Sequence, residues 1–330
     1  MTLKAVLAEL AVDPAKLAGF LADPVGTLEA AGVPKEDLDA VQSGNRDLVY
    51  ARLTGERPFS TAPVIRPGRA RGTGSLVVVG TGIRALGQLT VEAISHIRMA
   101  DKVFYVVSDP VAEELIEHLN PKGAESLLGL YRDGRDRSET YRQMVDRVLS
   151  SVRDGLRTCL ACYGHPGVFV IPSHAAIRQA RAEGFSAHML PGISAEDCLF
   201  ADLGIDPARA GCQTYEATDF LLSRRVIDPS CALILWQVGV MDWAYRSSGY
   251  SLAALPLLLE RLFEYYRPDH PVVVYEAAVY AGCEAVIKTV PLLRIGEAAL
   301  ASSSTLFIPP ARPPQVDPFM QQRLAMHVPR

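Results

Sequence analysis

Short apolar runs that alternate with helical segments constrain the fold of this 330-residue chain more than any other feature. The alternation begins after Gly74. The predicted strands are Ser75–Gly80, Lys102–Val107, Leu156–Tyr163 and Ala187–Leu190, and the predicted helices are Gly87–Met99, Ser138–Arg153, His174–Glu183 and Ser194–Leu203. This pattern predicts an α/β domain around a buried, largely parallel sheet.

A second set of elements follows at about residue 205. Predicted strands lie at Ala232–Gln237, Pro271–Glu276 and Thr305–Ile308, with a predicted helix at Leu252–Tyr266. We therefore expect two α/β lobes, at about 74–204 and 205–320, and a tail at 321–330. Two lobes imply a cleft, which is the usual place for a ligand.

The N-terminal segment has a different character. Residues 1–54 predict a small all-α domain of short helices, because Asp13-Pro14 and Asp23-Pro24 each offer an N-cap followed by proline at the first helical position. Residues 55–73 are rich in proline, glycine and arginine, which predicts a linker or an extended arm.

Charge and hydropathy exclude several classes of protein. A net charge of -4 offers no general field for a polyanion, so no nucleic-acid partner is expected. Apolar runs stay shorter than the roughly 20 residues that cross a bilayer, and no signal pattern opens the chain, so we expect a cytoplasmic protein without a membrane segment. Cys159 and Cys162 form a CxxC in a predicted strand without further metal ligands, which favours buried thiols over a metal site.

Three glycine-containing turns follow predicted strands. Gly80-Thr81-Gly82 comes directly after the first strand, and on its own a structural turn is the better interpretation. The loop Tyr163-Gly-His-Pro-Gly-Val-Phe169 combines aromatic side chains with unpaired backbone groups, which suits a flat, polar ligand, although an ordinary turn explains it equally well. The third is a Pro-Gly turn at 191–192, with Ser194 in position to cap the next helix.

Taken together, four segments carry a specific resemblance. They are GSLVVVGTG at 74–82, YGHPGVF at 163–169, LPGISAEDCLFADLGIDP at 190–207 and STLFIPP at 304–310. In order and over residues 74–320, the chain resembles the tetrapyrrole-methylase superfamily, and within it the borosin branch of omphalotin-type peptide backbone α-N-methyltransferases. Residues 1–54 resemble the helical borosin-binding domain, which follows the catalytic domain in the fungal proteins instead of preceding it.

The resemblance implies a two-lobed tetrapyrrole-methylase fold with an S-adenosyl-L-methionine cleft, a homodimer, a precursor-peptide substrate, and no metal. The cofactor-binding positions that it implies are Gly80, Gly82, Tyr163, His165, Val168, Phe169, Ser194, Ala195, Gln237, Ala277, Ser304 and Thr305.

Backbone methylation also needs a base and an oxyanion partner, because the amide lone pair is delocalised into the carbonyl. By resemblance, Arg137 polarises the peptide carbonyl and Tyr141 or Tyr131 takes the amide proton. An Asp133-Gly134 turn is expected to bring Tyr131 towards Arg137, whose charge favours a phenolate. Leu128 stands where the family has a third tyrosine, which leaves open which tyrosine is the base.

Several functions remain open at this stage. The favoured one is iterative α-N-methylation of a separate peptide, since no long apolar tail ends the chain. Self-modification within the arm Phe59–Arg66, at Ala62, Val64 or Ile65, is a second. The others are a small-molecule (tetrapyrrole) methyltransferase, a ribosomal-RNA methyltransferase, which the acidic balance disfavours, and a catalytically degenerate peptide-binding homologue.

Overall fold

The protein is described here by a computed structural model, which covers residues 1–55, 73–107, 109–132, 136–241, 251–280 and 282–327. The described residues group into two compact units. The first contains Met1–Tyr131, Ser138–Ser194 and Val279–Ala281, and the second contains Arg132–Arg137, Ala195–Ala278 and Gly282–Arg330.

Five short helices open the first unit, as predicted. They are α1 (Leu3–Leu10), α2 (Pro14–Ala22), α3 (Pro24–Ala30), α4 (Lys35–Ser43) and α5 (Arg46–Thr54). Asp13 and Asp23 cap α2 and α3 through their carboxylates, each with proline in the first turn, so both predicted helix starts are confirmed. Leu3, Leu28 and Val33 belong to the small apolar core that the five helices share. Most of the predicted arm, residues 56–72, lies outside the described residues.

The rest of the first unit is built around a five-stranded sheet. Its strands are β1 (Ser75–Gly80), β2 (Lys102–Val106), β3 (Ala124–Ser126), β4 (Arg157–Cys162) and β5 (Ser186–Met189), in the order β3-β2-β4-β1-β5. Every pairing in this sheet is parallel, which confirms the prediction of a parallel sheet. The helices of this part are α6 (Ala85–Gln88), α7 (Val91–Met99), α8 (Pro110–Leu119), α9 (Arg137–Arg153) and α10 (Ile171–Ala182).

The predicted helix Gly87–Met99 is wrong in one respect, because the chain forms two helices there. Gly87 adopts a left-handed backbone with φ of 104°, and α6 ends at the next residue. Thr90 then caps α7, its hydroxyl accepting a hydrogen bond from the Ala93 amide at 3.1 Å.

The N-terminal helices are fastened to the sheet-forming part of the same unit through α2 and α7. Ser95 of α7 is fully buried, and its hydroxyl donates a 2.8 Å hydrogen bond to the Pro14 carbonyl. Hydrogen bonds from the backbone amides of Lys16 and Ala15 hold the pKa of Asp13 below its usual value, and the Arg98 charge on α7 adds a smaller effect in the same direction. The five N-terminal helices, which share only a small apolar core, thereby gain packing against the sheet-forming part of the unit.

The second unit contains a mixed five-stranded sheet. Its strands are β6 (Cys212–Glu216), β7 (Ala232–Trp236), β8 (Pro271–Glu276), β9 (Val286–Pro291) and β10 (Thr305–Ile308), in the order β6-β7-β10-β8-β9, and its helices are α11 (Ala195–Leu203), α12 (Pro207–Ala210), α13 (Ala217–Leu222), α14 (Leu255–Phe263) and α15 (Pro318–His327). Strands β6 and β7 are parallel, and the other pairs are antiparallel. The apolar core of the unit includes Phe220, Leu258 and Val272. Among the described residues, no helix is long and apolar enough to span a membrane.

Candidate active site

The three glycine turns predicted from sequence lie at one edge of the parallel sheet. Gly80 is the last residue of β1, while the turns at 163–169 and 190–194 follow β4 and β5. Strands β4, β1 and β5 are neighbours, and parallel strands present their carboxyl ends at the same edge. Ligands of open α/β sheets bind at this edge, outside the carboxyl ends of the strands.

Backbone-to-backbone contacts between glycines hold the three turns together. Gly82 and Gly164 form an antiparallel bridge, in which the Gly164 amide donates to the Gly82 carbonyl at 2.9 Å. A methyl group added at Gly80 would lie 2.2 Å from the Gly164 carbonyl oxygen, and one added at Gly192 would lie 3.1 Å from it. The backbone around Gly80 therefore leaves no room for a side chain, and a side chain at Gly192 would need its neighbours to shift slightly, which is a reason for glycine at both positions.

The Tyr163–Phe169 loop is fixed by its own imidazole. The Gly167 amide donates a 2.9 Å hydrogen bond to Nδ1 of His165, so the neutral His165 ring carries its hydrogen on Nε2. The Val168 amide donates to the His165 carbonyl at 3.1 Å. Phe169 has φ of 57° and is half exposed. A left-handed backbone is uncommon for an aromatic residue and is typical of functional sites.

Two residues that the sequence did not single out also hold this loop. The Ser173 hydroxyl lies 2.5 Å from the Pro166 carbonyl oxygen and 2.7 Å from that of Val170. The His174 Nε2 atom lies 2.9 Å from the Gly167 carbonyl oxygen. Because a carbonyl only accepts, His174 must donate from Nε2. No motif distinguished these residues, since His174 opens the predicted helix His174–Glu183 and Ser173 directly precedes it.

The predicted binding residues of the second unit gather at one end of its sheet. Gln237 follows β7, Ala277 follows β8, and Ser304 precedes Thr305, the first residue of β10. Strand β10 lies between β7 and β8 and is antiparallel to both, so these positions are adjacent. The Val238 amide donates to the Ser304 carbonyl at 3.2 Å, which joins the two loops directly.

Glu276 belongs to this second set, although it was not predicted. Its Oε1 atom accepts a 2.6 Å hydrogen bond from the hydroxyl of the fully buried Ser304, which in turn accepts from the Ala301 amide at 2.7 Å. Gln237 has φ of 60°, a left-handed backbone beside this network. Of the remaining predicted residues, Ser194 is buried directly before α11, and Ala195 is the first residue of that helix.

The predicted catalytic residues lie on and before α9. Arg137 is the first residue of the helix and Tyr141 stands one turn later, so both share one helix face, as predicted. Both are half-buried, and Tyr141 packs against the apolar core of the parallel sheet. Tyr131 is 40% exposed, and its amide donates to the carbonyl of the half-buried Leu128 at 3.0 Å. The predicted Asp133-Gly134 turn lies outside the described residues.

The CxxC in β4 consists of buried free thiols, as predicted. Cys159 and Cys162 are each 1% exposed. Burial raises the pKa of Cys159 and raises that of Cys162 to about 12, so neither is a thiolate near neutrality. Among the described residues, no cluster of three histidine, cysteine or carboxylate side chains could hold a metal.

Fold and sequence together define the class. The sequence profile of the tetrapyrrole (corrin/porphyrin) methylases matches residues 75–292, which is most of the chain. The chain therefore belongs to the tetrapyrrole methylase family. Its fold is also similar to that of the crystal structure of uroporphyrin-III-C-methyltransferase from Thermus thermophilus, with a TM-score of 0.52 and 17% identity over 72% of this chain and 93% of that one.

Curated relatives are more similar in sequence. The chain is 47% identical over 242 residues to a methyltransferase/ribosomally synthesized cyclic peptide dendrothelin A precursor of Dendrothele bispora. The match covers 72% of this chain and 58% of that protein. It is 44% identical over 270 residues to a methyltransferase/ribosomally synthesized type III borosin cyclic peptide precursor of Anomoporia bombycina. This match covers 79% of this chain and 30% of that protein. The chain thus spans about half the length of the first relative and less of the second. These similarities confirm the resemblance to the borosin branch.

Proposed function

We propose that this chain transfers methyl groups from S-adenosyl-L-methionine to backbone amide nitrogens of a ribosomally made precursor peptide. The observation that carries the proposal is the identity of 40–47% to proteins named as methyltransferase and cyclic-peptide precursor. It covers 72–79% of this chain, from different fungi. Tetrapyrrole methylation is the less favoured alternative, because the uroporphyrin-III-C-methyltransferase of similar fold is only 17% identical to this chain.

The residues present suit such a donor. Gly80 lets its turn pack directly on the Gly164 carbonyl, since a Cβ there would lie 2.2 Å from that oxygen, and backbone at the carboxyl edge of a parallel sheet is a common cradle for nucleoside ligands. Tyr163 and Phe169 offer aromatic faces from the same loop. In the second unit, we assign donor contacts to Ala195, Gln237, Ala277, Ser304 and Thr305. The sulfonium would supply an already activated methyl group, so no metal or redox centre is needed.

The acceptor nitrogen is activated by the chain's own side chains. The Arg137 guanidinium would donate hydrogen bonds to the substrate carbonyl and stabilise negative charge on its oxygen. Tyr141, on the same helix face, would accept the amide proton. Tyr131 is the alternative base.

The substrate, the assembly and the compartment form the rest of the proposal. We favour a separate acceptor peptide over the chain's own Phe59–Arg66 segment, which lies outside the described residues. We further propose a homodimer, on the strength of the borosin resemblance, with size-exclusion chromatography and light scattering as its test. The free thiols of the described residues favour a reducing compartment, and we propose the cytoplasm.

Mass spectrometry tests the function directly. The purified chain is incubated with methyl-labelled S-adenosylmethionine, alone and with a peptide encoded beside its gene. Successive mass increases, each of one labelled methyl group in place of a hydrogen on a backbone amide of the added peptide, support transfer in trans. The same increases on the chain itself support self-modification. Tyr141→Phe is expected to slow transfer while it keeps its packing against the core, and Tyr50→Phe, at an exposed tyrosine of α5, is the matched control.

Two results would contradict the proposal. One is transfer of label to a porphyrin substrate without transfer to any peptide. The other is the failure of the purified chain to bind S-adenosylmethionine at all.

A further inference from the structure

Two side chains at the start of helix α10 hydrogen-bond to backbone carbonyls of the Tyr163–Phe169 loop. Ser173 is fully buried, and its Oγ atom lies 2.5 Å from the Pro166 carbonyl oxygen and 2.7 Å from that of Val170. The next residue, His174, donates from Nε2 to the Gly167 carbonyl at 2.9 Å. Two consecutive side chains thus bind two carbonyls of the loop and the Val170 carbonyl that directly follows it.

These contacts bracket the strained residue of the loop. Phe169 keeps its φ of 57° between Gly167, whose carbonyl is bound by His174, and Val170, whose carbonyl is bound by Ser173. A left-handed aromatic residue costs free energy and persists only where its surroundings determine the backbone. Helix α10 itself is set by Pro172 in its first turn and packs its buried face, including Ala176 and Ile177, on the core of the parallel sheet.

Gly167, in the middle of the same loop, is held through both its amide and its carbonyl. Both backbone polar groups of Gly167 have imidazole partners, the amide through His165 Nδ1 and the carbonyl through His174 Nε2. A methyl group at Gly167 would lie 3.0 Å from the Met189 sulfur and 3.1 Å from the His165 ring, so the chain is also confined sterically. The loop is therefore preorganised by a rigid helix and not only by its own turn.

We infer that Ser173 and His174 are positioning residues that set the donor-binding conformation of the Tyr163–Phe169 loop. This rests on the proposed function, since the loop is there assigned to S-adenosylmethionine. Neither residue is required to touch the donor. Without these two side chains, binding of the donor would have to order the loop. The free-energy cost of that ordering weakens donor binding without changing the chemistry of transfer.

Calorimetric titration of the full chain with S-adenosylmethionine tests the inference. We expect Ser173→Ala to weaken donor binding by about three- to tenfold, the equivalent of one buried hydrogen bond. His174→Ala should weaken it by about two- to fivefold, because its bond is solvent-exposed. In steady-state transfer, both variants should raise KM for the donor and leave kcat within about twofold of wild type.

Two further variants separate positioning from general stability. His174→Gln places an amide donor near the Nε2 position and should restore affinity to within about twofold. Arg178→Ala removes an exposed side chain one turn further along α10 and should match wild type. Wild-type affinity in both alanine variants would overturn the inference, and if Ser173→Ala does not fold, the exposed His174→Ala decides. A wild-type chain that binds no donor would instead overturn the proposed function itself.

Discussion

Gly80→Ala is the substitution for which the structure gives the sharpest expectation. The added Cβ would lie 2.2 Å from the Gly164 carbonyl oxygen and 2.8 Å from Cδ of Pro166. Carbon and oxygen normally meet at about 3.3–3.6 Å, so the overlap is about 1 Å. Both colliding groups are backbone or proline ring, neither of which can swing aside. The loop after β4 must therefore move away from β1, which breaks the bridge between Gly82 and Gly164.

The expected cost follows from that overlap. Overpacking of a tight site destabilises by about 1–3 kcal/mol, and we expect the free energy of unfolding to fall within that range. Donor affinity should fall at least about tenfold, since the displaced loop is part of the proposed site. Denaturant unfolding and calorimetric titration measure the two effects.

The control substitution is expected to raise the free energy of unfolding instead of lowering it. Gly19 lies exposed within α2 with nothing within 4 Å of an added methyl group, so Gly19→Ala should stabilise by about 0.5–1 kcal/mol and leave donor binding unchanged. If Gly80→Ala proved as stable as wild type with unchanged donor affinity, the close-contact reasoning would be refuted.

Two further predictions concern charge and thiol reactivity. Arg153 lowers the pKa of Glu183 to about 2 from a usual 4.5, so the ionised pair stabilises the fold above about pH 4.5 and that stabilisation is lost as the pH falls through about 2. Glu183→Gln should therefore cost under about 1 kcal/mol at pH 7, because the pair is partly exposed, and much less at pH 2, where the carboxylate is half protonated. An equal loss at both pH values would argue against it. Iodoacetamide at pH 8 should label the exposed Cys283 in the native chain, and Cys159 and Cys162 only after unfolding; native labelling in β4 would show that the strand is not buried.

Local signals in the sequence were sufficient for much of the fold. Aspartate-proline pairs predicted the starts of α2 and α3, and continuous apolar runs predicted β1, β2 and β4, because these strands are buried on both faces. Edge strands carry a weaker signal. Strands β9 and β6, which form the two edges of the second sheet, were not predicted. Strand β9 is mostly exposed along its length.

The candidate site was predictable where motifs are contiguous. The glycine turns stand out in sequence, and parallel-strand topology explains why they meet. Ser173, His174 and Glu276 could not be found in this way, because their roles come from hydrogen bonds to backbone or to a residue 28 positions away. Such partners are set by tertiary packing and leave no local pattern.

The central claim is that a guanidinium on α9 activates an amide for methyl transfer, and Arg137→Ala tests it most directly. Removal of one oxyanion-stabilising donor typically lowers kcat by about 100- to 1000-fold. Methyl transfer from labelled S-adenosylmethionine to the acceptor peptide should fall by that amount, while calorimetry shows donor affinity within about twofold of wild type. Arg142→Ala, at an exposed position of the same helix, should behave as wild type. Transfer that persists in Arg137→Ala, or a loss of donor affinity in its place, would contradict the account.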